Sequence, residues 1–356
     1  MKTLQAAIAL VGFFSASAYA QTPITVYGTI DGGIRHVSNA SPAGDSLKLS
    51  SNGEFYNNRL GFKGSEDLGS GIHTHFQFEM GWNTGTGESD NKQDQLFQRY
   101  ALIGIDGPFG VVDIGRMPSL SCKVISYYDP FVYHYVYTIP LAGAAAGNDR
   151  ATTPPFGTMG GTRFDNDIQY IAKSNGWMFG AEYSFGEAEG SSRNGSAQAL
   201  AFAYSGGPLA IGGAYTMQRP DISLAGAADY RNQYQTTFGA SYQLGDVRLS
   251  AGYIRTTLDT PSLLRLNGAK NLWVGASYRV TPAIGLTFGY YRTTLDKADR
   301  EIARRNFAIL GATYALSNRT SLYFDIDRAE LAGAIAFTPG RETTQIGTSL
   351  GIYHAF

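Results

Sequence analysis

Two histidines and a glutamate at alternate positions, His73, His75 and Glu79, are the side chains of this 356-residue chain best spaced for metal chemistry. Two imidazoles and a carboxylate are a common zinc set, but polar groups at every second position are also what any water-facing strand presents. Nucleophilic chemistry has less to stand on. A hydrolase needs a serine, a histidine and a carboxylate brought together, and His36, His134 and His354 sit in no motif of that kind. The single cysteine, Cys122, can form no intrachain disulfide and reads as a small residue in a long loop. Arg59 and Lys63 lie four apart, sharing one strand face away from Leu60 and Phe62, so their chemistry is that of a positive field. Each could equally balance a wall carboxylate such as Asp31 or Glu79. No cofactor and no metal are expected.

Strands must hold these groups. In Ile72–Met80, Ile72, Phe76, Phe78 and Met80 share one face and His73, His75, Gln77 and Glu79 the other. Tyr234, Phe238, Ala240 and Tyr242 alternate with Gln233, Gln235, Ser241 and Gln243, and Leu322, Phe324 and Ile326 with Tyr323, Asp325 and Asp327. The run 346–356 does the same, Ile346, Leu350, Ile352 and Phe356 on one side and Gly347, Ser349, Gly351 and Ala355 on the other. One face needs water and the opposite face an apolar medium, as on a membrane barrel.

The N-terminus reads as an export signal. Lys2 is followed by an apolar stretch from Leu4 to Phe14, and Ala18-Tyr19-Ala20 is a small-x-small site, placing cleavage ahead of Gln21. Residues 1–20 are therefore expected to leave, and 21–356 to form one domain, since no linker or compositional shift marks a boundary. No window beyond the signal is apolar enough for a spanning helix, so a membrane form of the mature chain must be a closed barrel. The formal charge of −1 gives no basic field for nucleic acid.

Connections come in two kinds. Seven are short and rich in Gly, Pro, Asn and Asp: 67–71, 106–110, 174–176, 205–208, 245–246, 281–283 and 317–320. Eight are longer, near 38–55, 82–95, 117–161, 187–196, 219–231, 259–269, 296–304 and 333–342. Together they join sixteen antiparallel strands into an all-β transmembrane barrel, with short periplasmic turns, long outer loops and both termini periplasmic. At that strand number side chains cannot fill the interior, so an aqueous channel is expected.

Val26-Tyr27-Gly28-Thr29-Ile30-Asp31-Gly32-Gly33, Asn58-Arg59-Leu60-Gly61-Phe62-Lys63-Gly64-Ser65-Glu66-Asp67-Leu68-Gly69, Phe97-Gln98-Arg99-Tyr100-Ala101-Leu102-Ile103-Gly104-Ile105, the Gly115-Arg116 pair and the terminal Phe356 carry a resemblance. Over nearly the whole mature length the chain resembles the trimeric general diffusion porins of Gram-negative bacteria, those of beta-proteobacteria above all. The resemblance implies a long third loop folded into the lumen, here about 117–161 with Tyr127, Tyr128, Phe131, Tyr133, Tyr135 and Tyr137 before a small-residue stretch. It also implies a basic wall facing that loop: Arg59 and Lys63, with Arg99 on the fourth strand and Arg163 opening the sixth, where Arg163, Asp165, Asp167 and Gln169 alternate with Phe164, Ile168 and Tyr170. Such porins carry several acids on the inserted loop, whereas this loop offers Asp129 and Asp149 beside Lys123 and Arg150. That weakens the transverse field and leaves a constriction of tyrosines, open to mild anion selectivity or to a preferred aromatic solute. The resemblance further implies a homotrimer latched by a second loop near Gly85 to Asp94, outer-membrane lipid and lipopolysaccharide as surroundings, small hydrophilic solutes and ions as cargo, and Phe356 as an assembly signal.

Overall fold

The computed structural model describes residues 24–41, 43–49, 54–90, 95–135, 162–219, 232–259, 266–333 and 343–356. The expected signal segment and Asp149 lie outside the described residues. Strands β1 (Thr25–Ser41), β2 (Gly44–Leu49), β3 (Arg59–Gly69), β4 (Ile72–Met80), β5 (Tyr100–Gly107) and β6 (Gly110–Pro118) precede the third long loop. After it come β7 (Arg163–Ser174), β8 (Trp177–Ser184), β9 (Ala197–Gly206), β10 (Leu209–Gln218), β11 (Gln233–Leu244) and β12 (Val247–Leu258). The chain closes with β13 (Leu266–Arg279), β14 (Ile284–Lys297), β15 (Arg300–Ala315), β16 (Thr320–Gly333) and β17 (Thr344–Ala355).

β2 and β3 follow each other along the same edge of β1, where Ile34 faces Leu49 and Gly28 faces Leu60. The seventeen segments therefore make sixteen staves, all antiparallel, and β1 closes the ring by pairing its other edge with β17. Closure satisfies the backbone without water, which a bilayer demands. The expected parity holds: Phe78, Phe238, Leu322, Phe324, Ile346, Leu350 and Ile352 point outward and are exposed, while Glu79, Gln233, Gln235, Asp325 and Ser349 are buried on the inner side. Trp177, Tyr242, Tyr278 and Tyr314 are exposed on the outer face near the short turns, the depth at which aromatics meet a membrane surface.

All seven short turns fall where the sequence places them. Two of the long connections do not. Near 38–55 the chain continues as a hairpin of β1 and β2 before reaching β3. Near 296–304 the loop is only Ala298-Asp299, both at positive φ (49° and 59°), the geometry a two-residue hairpin turn requires. The ladder persists there although Asp296 faces Glu301 and Lys297 faces Arg300, like charges that oppose pairing, because both acids find cations elsewhere: Lys270 meets Asp296 (2.7 Å), and Arg304 and Arg292 meet Glu301 (3.4 and 3.8 Å).

The described part of the third loop, through Tyr135, runs along the inner wall. Ser119 caps α1 (Leu120–Ile125) by accepting from the Cys122 N–H, and a single 3-10 turn, Ser126–Tyr128, follows. The helix escaped the sequence reading because one and a half turns give no periodicity to detect. What holds the segment is a track of inward glycines on seven of the eight staves from β8 to β15. Leu120 covers Gly180 on β8, and Tyr128 covers Gly212 on β10 and Gly239 on β11. Pro130 covers Gly275 on β13, and Phe131 covers Gly289 and Gly311 on β14 and β15. Trp273 fills the place at Gly252 on β12 and donates its indole N–H to the Tyr128 carbonyl (3.0 Å). Leu120, Val124, Ile125, Tyr128, Phe131 and Tyr135 are buried as a result. Each contributes about 1.5–3 kcal/mol relative to standing in lumen water.

Candidate functional site

Glu79, next to last in β4, organises one stretch of wall. Its Oε1 accepts from Arg99 Nε (2.6 Å), and its backbone carbonyl accepts from the Arg99 N–H (3.1 Å), fixing Arg99 just ahead of β5. Arg59, the first residue of β3, brings Nη1 within 3.9 Å of the same oxygen and lays its guanidinium 4.1 Å from the Tyr56 ring centre. Arg163, the first residue of β7, donates Nε to the Arg99 carbonyl (2.9 Å). The second Glu79 oxygen accepts from the Tyr27 hydroxyl (2.9 Å). Lys63 shares the inner face of β3 but stands apart, exposed, with its ammonium 5.2 Å from the Tyr27 ring centre. Three of the four expected cations thus come together and the fourth lies farther along the wall.

The expected alternation at the start of β7 is broken. Asn166 takes positive φ (52°), and the register slips so that Phe164 faces Met117 while Asp167 faces Gly115. Phe164 is consequently buried with Met117 rather than sharing the outward face of Ile168 and Tyr170. A bulge inserts one residue into one strand and flips the faces beyond it.

Asp31 neutralises none of the four. It is fully buried, accepting from the Tyr323 hydroxyl (2.6 Å) and from the N–H groups of Phe55 and Tyr56 (2.9 and 2.8 Å). It thereby fixes a short segment that the sequence reading passed over. Phe55 and Tyr56 hold the His134 ring between them, with centroid distances of 4.5 and 4.4 Å, and the Phe55 carbonyl accepts from the Tyr135 N–H (2.6 Å). Burial lowers the His134 pKa to about 4 and raises that of neighbouring Glu54 to about 7. Arg35 also went unrecognised. It donates to Asp327 (2.7 Å) and Ser349 (2.9 Å), with Asp325 at 3.5 Å and Glu54 at 4.0 Å. The inward parity of Asp325 and Asp327 was visible; what brings them to Arg35 is register, since Arg35 and Asp325 both pair with Ser349 from opposite sides.

The inserted loop supplies rings, not charge. Tyr128 and Tyr135 are buried and Tyr127 is half-exposed beneath the Arg248 guanidinium (4.9 Å). Tyr133 packs against the same buried cluster. Asp129, expected as one of the loop's two acids, is fully buried. It accepts from the Phe131 and Tyr133 N–H groups (2.9 and 3.1 Å) and the Tyr291 hydroxyl (2.7 Å), and burial raises its pKa to about 6. It ties the loop together and presents no charge to the lumen. Burial likewise pushes the Cys122 thiol up to about 11, unsuited to a nucleophile.

His73 and His75 do not join Glu79. Their Nδ1 atoms lie 3.3 and 3.1 Å from Asp106, and His75 Nε2 is 2.8 Å from Asp113. Among the described residues no group of three or more His, Cys, Asp or Glu is placed to hold a metal.

A family model described as Gram-negative porin matches residues 6–333. An outer membrane porin protein of Bordetella pertussis is 30% identical, with 100% of both chains covered. Among solved structures, an anion-selective porin from Comamonas acidovorans superposes with a TM-score of 0.76 at 24% identity, covering 94% of this chain and 100% of that one. The trimer form of OmpT, an outer membrane protein of Vibrio cholerae, gives a TM-score of 0.64 at 13% identity, covering 94% and 99%. At these identities the two superpositions bear on fold alone.

Proposed function

We propose how this protein, which belongs to the Gram-negative porin family, selects what it passes. It is an outer-membrane channel for passive diffusion and not an enzyme. The constriction lies between the inserted loop and the wall of Arg59, Lys63, Arg99 and Arg163, and it favours anions mildly. One observation carries this reading: carboxylates sit behind guanidinium groups. Side chains of Glu79, Asp325 and Asp327 are 0–3% exposed, while those of their partners Arg35, Arg59 and Arg99 are 10–17% exposed. A dissolved ion therefore meets the cation first, although the pairing keeps the net field small. The name of the Comamonas protein agrees with that sign.

In this reading the short-turn rim and both termini are periplasmic, residues 1–20 are removed on export, and outer-leaflet lipid and lipopolysaccharide surround the long-loop rim. The working unit is a homotrimer, as for the Vibrio protein, latched by the second loop. In that loop Trp82 pairs with Ser89 and the Asp90 N–H donates to the Gly81 carbonyl (3.2 Å). Reconstitution in a planar bilayer across a potassium chloride gradient tests the reading. Three coupled conductance steps and a zero-current potential displaced toward chloride are expected. Uncoupled single steps count against the trimer, and a displacement toward potassium against the selectivity.

A further inference from the structure

The inserted loop seals against the wall along its glycine track but not on the side toward the short turns. There a cavity of about 560 Å³ lies between α1 with the 3-10 turn and the short-turn ends of β7–β10. Val124, Tyr128, Met178 and Ala203 are among its apolar lining residues, and Lys123 and Lys173 stand at it. No aspartate or glutamate lines it. Lys173 lies on the inner parity of β7 with Asp167 and Gln169, and among the described residues its side chain makes no ion pair or hydrogen bond. Lys123 donates to the neutral amide oxygen of Gln169 (2.6 Å), which leaves two of its ammonium hydrogens unused. Asp113, Asp167 and Glu182 act on Lys123 from the wall without lining the cavity. Tyr127, half-exposed at the edge, already carries the Arg248 guanidinium on its ring, a further cation nearby. An apolar slot of this volume with a few converging polar groups is the usual form of a small-molecule site.

We propose that this cavity is a binding subsite for aromatic carboxylates, the ring seated between Tyr128 and Met178 and the carboxylate taken by Lys173 and Lys123. The inference rests on the channel reading above and adds a solute class to it. A flat ring matches the slot between the loop and the wall. A single anionic group suits Lys173, which meets no acid at the cavity, with Lys123, already in the field of Asp113, Asp167 and Glu182, as its weaker partner, whereas a sugar would leave the apolar lining unused.

The test is single-channel recording in potassium chloride with 1-naphthoate added equally to both chambers, against 2-naphthalenemethanol and acetate as probes lacking the charge or the ring. Naphthoate should interrupt the current in a concentration-dependent way, and each control should do so at least about tenfold more weakly, a difference of ~1.4 kcal/mol. Lys173→Gln should weaken naphthoate roughly three- to fivefold, the size expected of an exposed charge pair. Ala203→Leu, which fills the slot from the wall, should weaken it about tenfold or more. Both variants should keep the wild-type conductance in salt alone. Interruptions that are equal in wild type and both variants, or no interruptions while the channel conducts normally, overturn the subsite. Absence of conductance steps in the wild type overturns instead the channel reading on which it rests.

Discussion

Glu79 holds two arginines and a tyrosine from three different strand ends, so its loss should be felt well beyond its own strand. Replacing it with alanine leaves Arg99, 8% exposed, without its 2.6 Å partner. Breaking a buried pair from one side costs on the order of 3 kcal/mol. Glu79→Ala should therefore lower the temperature at which the folded form converts to the unfolded one on heat-modifiability gels, and an unchanged transition would remove Glu79 from the centre of the wall. The inward face of Glu79, Arg59 and Lys63 was legible, because period-two parity needs only the local sequence. The partners were not. That Arg99 takes Glu79 while Asp31 takes Tyr323 and the Phe55 and Tyr56 amides depends on neighbours dozens to hundreds of residues away.

The inserted loop is an element held by what the wall lacks. A side chain at Gly239 would meet the Tyr128 ring directly. Gly239→Val should push the 3-10 turn off the wall, raising single-channel conductance and widening its fluctuations; wild-type conductance and noise would show that the track does not seat the loop. Its docking should also respond to pH, with two opposing parts. His134, at about 4 when docked against about 6.5 when free, favours docking above about 6.5, and that contribution is lost as pH falls through about 4. Asp129 and Glu54, raised to about 6 and about 7, favour docking below about 4, and theirs is lost as pH rises through those values. The two acids together outweigh the one histidine, so wild-type current noise should fall modestly from pH 7 to pH 4, whereas His134→Phe, left with the acids alone, should become quieter more steeply. Identical profiles would discard the opposition. The loop's inward course was legible from its length, its tyrosines and the family resemblance. The Phe55–His134–Tyr56 clamp was not, since nothing local in either segment marks the other.

At the scale of the whole molecule, one residue completes the ring. Phe356 exchanges both backbone hydrogen bonds with Gly28 (3.1 Å each), and its ring covers the place where a side chain at Gly28 would stand. Phe356→Asp should leave signal cleavage intact yet sharply reduce folded barrel in the outer membrane; undiminished yield would mean that closure does not depend on it. The sixteen staves were legible because alternation and turn chemistry repeat with every hairpin. The misjudged connections, at 38–55 and 296–304, are those where polar residues pair across a ladder instead of looping free. Selectivity belongs to the molecule as well, because it sums the wall over all its staves. The central claim is that guanidinium groups stand in front of their carboxylates, and Arg59 tests it most cleanly: it is 17% exposed, and Glu79 keeps Arg99 at 2.6 Å without it. The decisive measurement is the zero-current potential of Arg59→Gln beside that of Arg328→Gln, which alters an outward-facing residue paired with Glu330. Arg59→Gln should shift the potential toward cations, most strongly in dilute salt, where screening reaches beyond about 10 Å, and Arg328→Gln should leave it nearly unchanged. Equal shifts from the two variants, or none from Arg59→Gln, would contradict the account.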